Sequence, residues 1–128
     1  MKQVFVIIVL ILCYSISNAK IVSSTEAGGE WNNPASWESG KVPGDKDDVI
    51  IKGVVVIKTD IKAGTITVEK GAKLIVDSPK EVMPVVENNV ELSGELVINS
   101  TARLAIHGLL NRTDTGKVLN NGIIELGK

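Results

Sequence analysis

Aromatic side chains are scarce in this chain. They make up 3% of its 128 residues, as two tryptophans, one tyrosine and one phenylalanine. Large rings usually anchor the core of a β-sandwich or other globular domain, so aliphatic residues have to build the core here. Phe5 and Tyr14 lie close to the N-terminus. Trp31 and Trp37 are therefore the only aromatic residues in the rest of the chain, and they precede its first valine-rich run.

Cysteine and histidine each occur once, as Cys13 and His107. A disulfide framework needs cysteine pairs, and a Cys-His nucleophilic set needs both residue types together. His107, in the sequence LAIHGLL, is expected at a strand end as a surface or corner residue. The acids are scattered and only Arg103 and Arg112 could join them, unlike the grouped carboxylates of polysaccharide-cleaving enzymes. The sequence predicts no enzymatic activity, with a polysaccharide-acting enzyme as the less favoured alternative.

A block of positive charge is also missing. The chain has 14 Lys and Arg against 15 Asp and Glu, which gives a net charge of −1. Proteins that bind nucleic acid or anionic membranes usually carry a clustered basic surface. We therefore expect neither of these partners. We also expect no cofactor, with calcium as the one alternative, considered below.

The N-terminus has the layout of a secretory signal peptide. One lysine precedes an apolar run of 11 residues, VFVIIVLILCY, and Ser17 and Ala19 place small residues before a cleavage point. A membrane anchor is disfavoured because a spanning helix needs about 20 apolar residues. Lipid attachment to Cys13 is disfavoured because the preceding Leu12 is large. We expect cleavage of residues 1–19, secretion of the remaining 109, and no membrane contact afterwards.

From Val49 onward, short runs of Val, Ile and Thr alternate with Gly, Asn and Asp, which predicts short strands joined by tight turns. The pattern Gly-x-apolar-x-apolar, or a near copy, recurs six times. Its apolar positions are Val55/Ile57, Ile66/Val68, Leu74/Val76, Leu96/Ile98, Leu104/Ile106 and Ile124/Leu126. Repeated short strands without aromatic anchors favour a parallel β-solenoid over a β-sandwich, the alternative.

The chain is expected to divide into two parts after the signal peptide. Residues 20–48 are predicted to form an N-terminal cap segment, and residues 49–128 a short β-helix of stacked coils. Ser78 to Asn89 contains two prolines and is predicted to be a loop or insertion between strands. A short stack exposes unpaired backbone and apolar side chains at both ends.

Trp31 and Trp37 lie where a plug over the first coil belongs. We interpret them as a structural cap in which both rings cover the core, with Pro34 fixing the loop between them and the indole N–H groups bonding to nearby carbonyls. The alternative is a ligand-contact platform, on which a sugar ring stacks against the indoles.

Three aspartates, Asp45, Asp47 and Asp48, lie within four residues of each other. Clustered carboxylates can bind calcium, so this stretch is a candidate calcium site. It lacks the regular spacing and distal glutamate of a loop-type site. We favour a turn after Pro43, in which aspartate side chains accept hydrogen bonds from backbone N–H groups and Asp48 faces the corner that begins the first long strand.

The stretch from Glu30 to Asp77 resembles the N-terminal portion of right-handed parallel β-helix modules in secreted and surface-anchored bacterial proteins, and it is similar to the start of the G8 domain. The shared pattern is W-x-x-P-x-x-W-x-x-G-x-x-P. It falls on Trp31, Pro34, Trp37, Gly40 and Pro43, with Asp48, Val49 and Ile51 following. The resemblance implies a right-handed β-helix, places these residues in the cap, and implies an extracellular setting with a part in adhesion or carbohydrate contact.

Such modules usually form part of much longer proteins, so this chain is expected to be either a small stand-alone relative or a truncated one. We expect a secreted, non-catalytic structural or adhesive module at the cell surface or in the extracellular space. Its partners would be other copies, joined through open coil ends such as NNGIIELGK, or surface glycans. The alternative function is that of a carbohydrate-binding module.

Overall fold

A computed structural model describes residues 20–127. This part of the chain contains fourteen short β-strands and one 3-10 helix, Pro34–Ser36. The strands are β1 Ile21–Ser23, β2 Gly29–Glu30, β3 Asp48–Ile51, β4 Val54–Ile57, β5 Lys62–Ala63, β6 Ile66–Val68, β7 Lys73–Val76, β8 Val85–Val86, β9 Val90–Leu92, β10 Glu95–Ile98, β11 Arg103–Ile106, β12 Leu110–Arg112, β13 Lys117–Asn120 and β14 Ile123–Leu126. The predicted signal peptide, with Cys13, lies outside the described residues. No helix in 20–127 has the length and apolar character needed to cross a membrane.

The strands form three parallel sheets, which the chain visits in turn. Sheet 1 has the order β1-β3-β6-β9-β12, sheet 2 has β2-β4-β7-β10-β13, and sheet 3 has β5-β8-β11-β14. Each successive triplet from β3 to β14 is therefore one coil of a three-sided solenoid, and four such coils stack on each other. The predicted parallel β-solenoid is confirmed. The β-sandwich alternative is wrong, because every pair of named strands is parallel.

The core consists of ladders in which aliphatic side chains stack in register from coil to coil. In sheet 2, for example, Val55, Leu74, Leu96 and Val118 follow one another along the stack. The first three of these are fully buried. Because strands lie about 4.8 Å apart, an aliphatic side chain of this size fills the space to its neighbour above and below. This explains how the coils from residue 49 onward pack without any aromatic residue.

The prediction of a loop from Ser78 to Asn89 is wrong at Val85 and Val86, which form β8. Val86 is fully buried and lies in register between Ala63 and Ile106. A strand of two residues shows no periodicity in the sequence, and the preceding proline suggested a break. The turn proper is the stretch before this strand, residues 78–84.

The segment 20–48 does more than cover the stack. Its strands β1 and β2 extend sheets 1 and 2 by one position each, through parallel pairing with β3 and β4. The loop that follows β2 then passes over the end of the core. The predicted cap segment is therefore continuous with the stack through its own backbone pairing.

Replacing a ladder residue tests this core. Leu96→Ala removes a fully buried side chain from the middle of a ladder, so we expect a loss of about 2 to 5 kcal/mol in the free energy of unfolding. Urea titration followed by circular dichroism measures it. Val97→Ala, on the outer face of the same strand, is the matched control, with an expected loss below about 1 kcal/mol. Equal losses for the two variants would contradict the assignment of inner and outer faces.

Candidate functional site

The two ends of the solenoid differ, and the N-terminal end is closed by the two tryptophans. Trp31 and Trp37 are each only 2% exposed and belong to the same core cluster as the ladder residues. Their ring centroids are 5.1 Å apart with an interplanar angle of 76°, an edge-to-face contact. Trp37 Nε1 donates a hydrogen bond of 2.7 Å to the carbonyl oxygen of Trp31. With both rings buried in this way, neither indole face is open to a stacking sugar.

Short-range hydrogen bonds shape the loop between the tryptophans. Asn33 caps the 3-10 helix, where its Oδ1 accepts from the backbone N–H of Ala35 at 3.0 Å, and Pro34 occupies the first helical position. Proline suits this position because its φ is already close to the helical value and its missing N–H is not needed there. The Trp31 N–H then donates to the carbonyl of Val56 at 2.8 Å, which attaches the loop to the first full coil.

The other residues of the predicted cap pattern differ in their surroundings. Pro43 is buried, whereas Pro34 and Gly40 are exposed. Gly40 has a φ of +76°, a left-handed conformation that glycine adopts without steric cost. Asp48 begins β3 at the end of the cap segment. The pattern thus combines residues that fill the end of the core with residues that shape the turns around it.

The three aspartates do not converge on one point. Asp47 accepts hydrogen bonds from the Lys20 N–H at 3.1 Å through Oδ1 and from the Gly44 N–H at 2.8 Å through Oδ2. Asp48 Oδ1 accepts from the Thr65 N–H at 3.0 Å. Within residues 20–127, no group of three or more acidic, histidine or cysteine residues is placed to hold a metal ion. Here Asp47 and Asp48 act as acceptors for backbone N–H groups.

The bond made by Asp48 is one of two equivalent corner contacts. Asn89 Oδ1 accepts from the Leu109 N–H at 2.8 Å two coils further on. In both places a glycine precedes the donor residue, Gly64 in the first corner and Gly108 in the second. A Cβ on Gly64 would lie 2.6 Å from Asp48 Oδ1. This corner contact can be recognised in the sequence. A polar residue stands where a strand of sheet 1 begins, and a glycine stands just before the matching position one coil later.

His107 lies directly after β11, at a corner. Its Nδ1 is 3.5 Å from Oε1 of Glu87, and both side chains are partly exposed. The two residues are neighbours in adjacent coils, so this contact follows the stacking of the coils. Residues 20–127 bring no further acidic, histidine or cysteine side chains around this pair in a metal-binding group.

The C-terminal end is formed by the last coil, residues 109–127, which contains β12, β13 and β14. Each of these is the edge strand of its sheet. Its inward side chains Leu110, Val118 and Ile124 are only partly buried against the core. Leu126 is 60% exposed, although Ile106, its register partner one coil earlier, is fully buried. The last coil therefore presents one half of an apolar layer.

Apolar exposure is concentrated at this end. Of the six exposed large hydrophobic residues in the described part of the chain, four belong to the last coil. They are Leu109, Leu119, Ile123 and Leu126. Two inward positions are polar in the last coil, because Arg112 is the register partner of Leu92 and Asn120 that of Ile98. These residues lie in the coil that ends with NNGIIELGK, the coil end that the sequence predicts to be open.

Comparison with known proteins gave no match: no family model matches this chain, and no curated protein or solved structure is detectably similar to it. The resemblance of the tryptophan-containing stretch to the G8 domain therefore stays a prediction. So does the right-handed course of the coils that the resemblance implies.

The cap can be tested through its indole hydrogen bond. Trp37→Phe removes the donor to the buried Trp31 carbonyl as well as part of the ring. Trp31→Phe is the matched control, because it makes the same change from indole to phenyl but keeps the Trp37 donor and the backbone acceptor. We expect Trp37→Phe to be the more destabilising by about 1 kcal/mol. Urea unfolding followed by circular dichroism measures the difference, and a larger loss in Trp31→Phe would contradict it.

The corner contact can be tested at Asp48. Asp48→Ala leaves the partly buried Thr65 N–H without its acceptor, so we expect a loss of about 1 to 3 kcal/mol in unfolding free energy. Asp48→Asn should stay close to the parent, because Asn89 performs the same task in a later corner. Asp45→Ala, at an exposed position, is the surface control. Thermal and urea unfolding compare the three, and a damaging Asp45→Ala with a neutral Asp48→Ala would reverse the assignment.

Proposed function

We propose that this chain is a secreted, non-catalytic structural module that works at the cell surface or in the extracellular space by associating through its last coil. The open C-terminal end is the observation that carries this proposal. There, three edge strands and a half-buried apolar layer meet at one surface. The resemblance of the tryptophan-containing stretch to surface β-helix modules is the ground for including adhesion in this proposal.

The edge strands support association because their outer backbone groups have not been used by a neighbouring strand. In a parallel ladder, alternate residues point their N–H and C=O groups to the two sides. For β12, β13 and β14, one of these sides faces away from the stack. Exposed strand edges readily pair with another chain unless charge, proline or a covering segment blocks them. Residues 109–127 contain no proline, and each edge strand carries a single charged residue, Arg112, Lys117 and Glu125 in turn, so these edges lack a block of charge.

The apolar side chains at this end support the same conclusion. A soluble monomer rarely exposes a contiguous apolar patch unless the patch has a use. The half-layer includes the partly buried Val118 and Ile124 and the 60% exposed Leu126. A partner that covered them would complete the next layer of the core. Secretion is supported separately by the signal-peptide pattern of residues 1–19.

Light scattering of the chain from Lys20 onward, which holds every strand and core residue of the described stack, tests association. We expect the mean molar mass to rise with concentration. Ile124→Lys should abolish the rise, because it puts a charge into the apolar layer while the lysine stem can still pack against the core. Ile75→Lys is the matched control: it makes the same change at a half-buried position on the outer face of sheet 2, away from both ends.

Two results would contradict the proposal. One is a constant monomer mass of the parent chain across the concentration series. The other is an equal loss of association in Ile75→Lys and Ile124→Lys, which would point to the sides of the solenoid. Circular dichroism of each variant verifies that it remains folded before its mass is interpreted.

A further inference from the structure

We propose that the partner of the last coil is a second copy of this chain, joined through its own last coil about a two-fold axis to give a closed dimer. This inference rests on the proposed function, since it names the partner of the same surface. It follows from three features: the blocked N-terminal edges, the charge balance of the last coil, and the symmetry of two identical ends.

The N-terminal end is a poor receiver for the last coil of another copy, because the cap segment covers the core there and bonds to backbone groups at the strand edges. The outward carbonyl of Ser23 in β1 accepts from the Glu38 N–H at 2.9 Å. The carbonyl of Glu30 in β2 accepts from Ser36 Oγ at 2.7 Å. Beside β5, the Gly64 N–H donates to the carbonyl of Asp47 at 2.7 Å. The cap segment thus bonds to the outer edges of β1 and β2 and to the residue after β5, and head-to-tail stacking would have to displace it together with both buried indoles.

The last coil has no corresponding cover in the part of the chain that the structure describes. Its charged residues are Arg112, Asp114, Lys117 and Glu125, two of each sign. A second copy therefore brings no net charge of the same sign to the interface. A strongly acidic or basic partner would gain little from such a surface, whereas an identical surface offers an equal apolar half-layer.

Two-fold symmetry also provides the backbone pairing. A two-fold axis perpendicular to the stack reverses the sense in which the coil runs around it, so that strands superimposed on each other across the interface run antiparallel. Antiparallel pairs form ladders at least as stable as the parallel pairs within the stack. An interface that uses the same surface on both copies is closed. It covers the last coils of both copies, so the two cap segments form the ends of the dimer.

Spin-label distances can distinguish this dimer from other assemblies. The chain from Lys20 onward contains no cysteine, so single cysteines can be introduced and labelled. Asn121→Cys marks an exposed turn of the last coil and Lys41→Cys an exposed position of the cap segment. Sheet 1 has five strands, and four spacings of about 4.8 Å give a stack about 19 Å high. Within each chain, the two labelled positions lie at opposite ends of the stack.

We expect the distance between the two Asn121→Cys labels to be shorter than the distance between the two Lys41→Cys labels by up to about 40 Å, which is roughly twice the stack height. In a head-to-tail assembly, by contrast, neighbouring copies are related by one repeat, so the two label positions give equal distances. The molar mass of the parent should level off at two chains. Labelled variants are first compared with the parent by light scattering, so that only chains with the parental association are measured.

The outcomes separate this inference from the proposed function. Equal distances for the two labels, an Asn121→Cys distance that is not the shorter, or a mass that grows beyond two chains would overturn the closed dimer. Association that Ile124→Lys abolishes would still support the proposed function in those cases. A parent chain that stays monomeric at every concentration would overturn both.

Discussion

The in-register parallel backbone ladder is the constraint on which the rest of this structure depends. Once strands of successive coils pair residue on residue, each inward side chain meets one of similar size about 4.8 Å away. Val55, Leu74 and Leu96 illustrate the result, since each is fully buried by its neighbours in the ladder. The same repeat lets one corner solution serve twice, in the Asp48 and Asn89 contacts. Because the packing repeats so regularly, the two ends of the stack are the places where the structure departs from the repeat.

The two ends of the stack differ in whether their strand edges and apolar side chains are covered. At the N-terminus, Trp31 and Trp37 fill the end of the core, and polar atoms of the cap segment bond to the outer edges of β1, β2 and the residue after β5. At the C-terminus the last coil keeps its edges and its apolar side chains outward. This asymmetry is why association is proposed at one end and why the proposed assembly stops growing. A stack with two open ends would instead permit an unlimited filament.

Much of the fold could be predicted from the sequence because its signal is repeated. The six segments with the Gly-x-apolar-x-apolar pattern or a near copy of it coincide with β4, β6, β7, β10, β11 and β14. The two-residue strands β5 and β8 could not be predicted, since two residues show no period and only their partners in sheet 3 define them. The Trp31 and Trp37 positions were apparent as a pattern, and a bond from an indole N–H to a nearby carbonyl was predicted, but the choice of the Trp31 carbonyl as acceptor depends on how the loop folds. The open coil end at NNGIIELGK was predicted, but its degree of exposure was not, because β14 has the sequence pattern of a covered strand.

The placement of both tryptophans at one end also determines what the intrinsic fluorescence of this molecule can report. In a stack whose coils contact only their neighbours, stability is approximately a sum of local terms, and a terminal coil can open without the rest. In the single chain the last coil is covered by a neighbouring coil on one face only, so it is the first segment expected to fray. The indoles lie beyond several intact coils from it. Tryptophan emission therefore reports unfolding at the closed end of the molecule and does not change when the last coil opens.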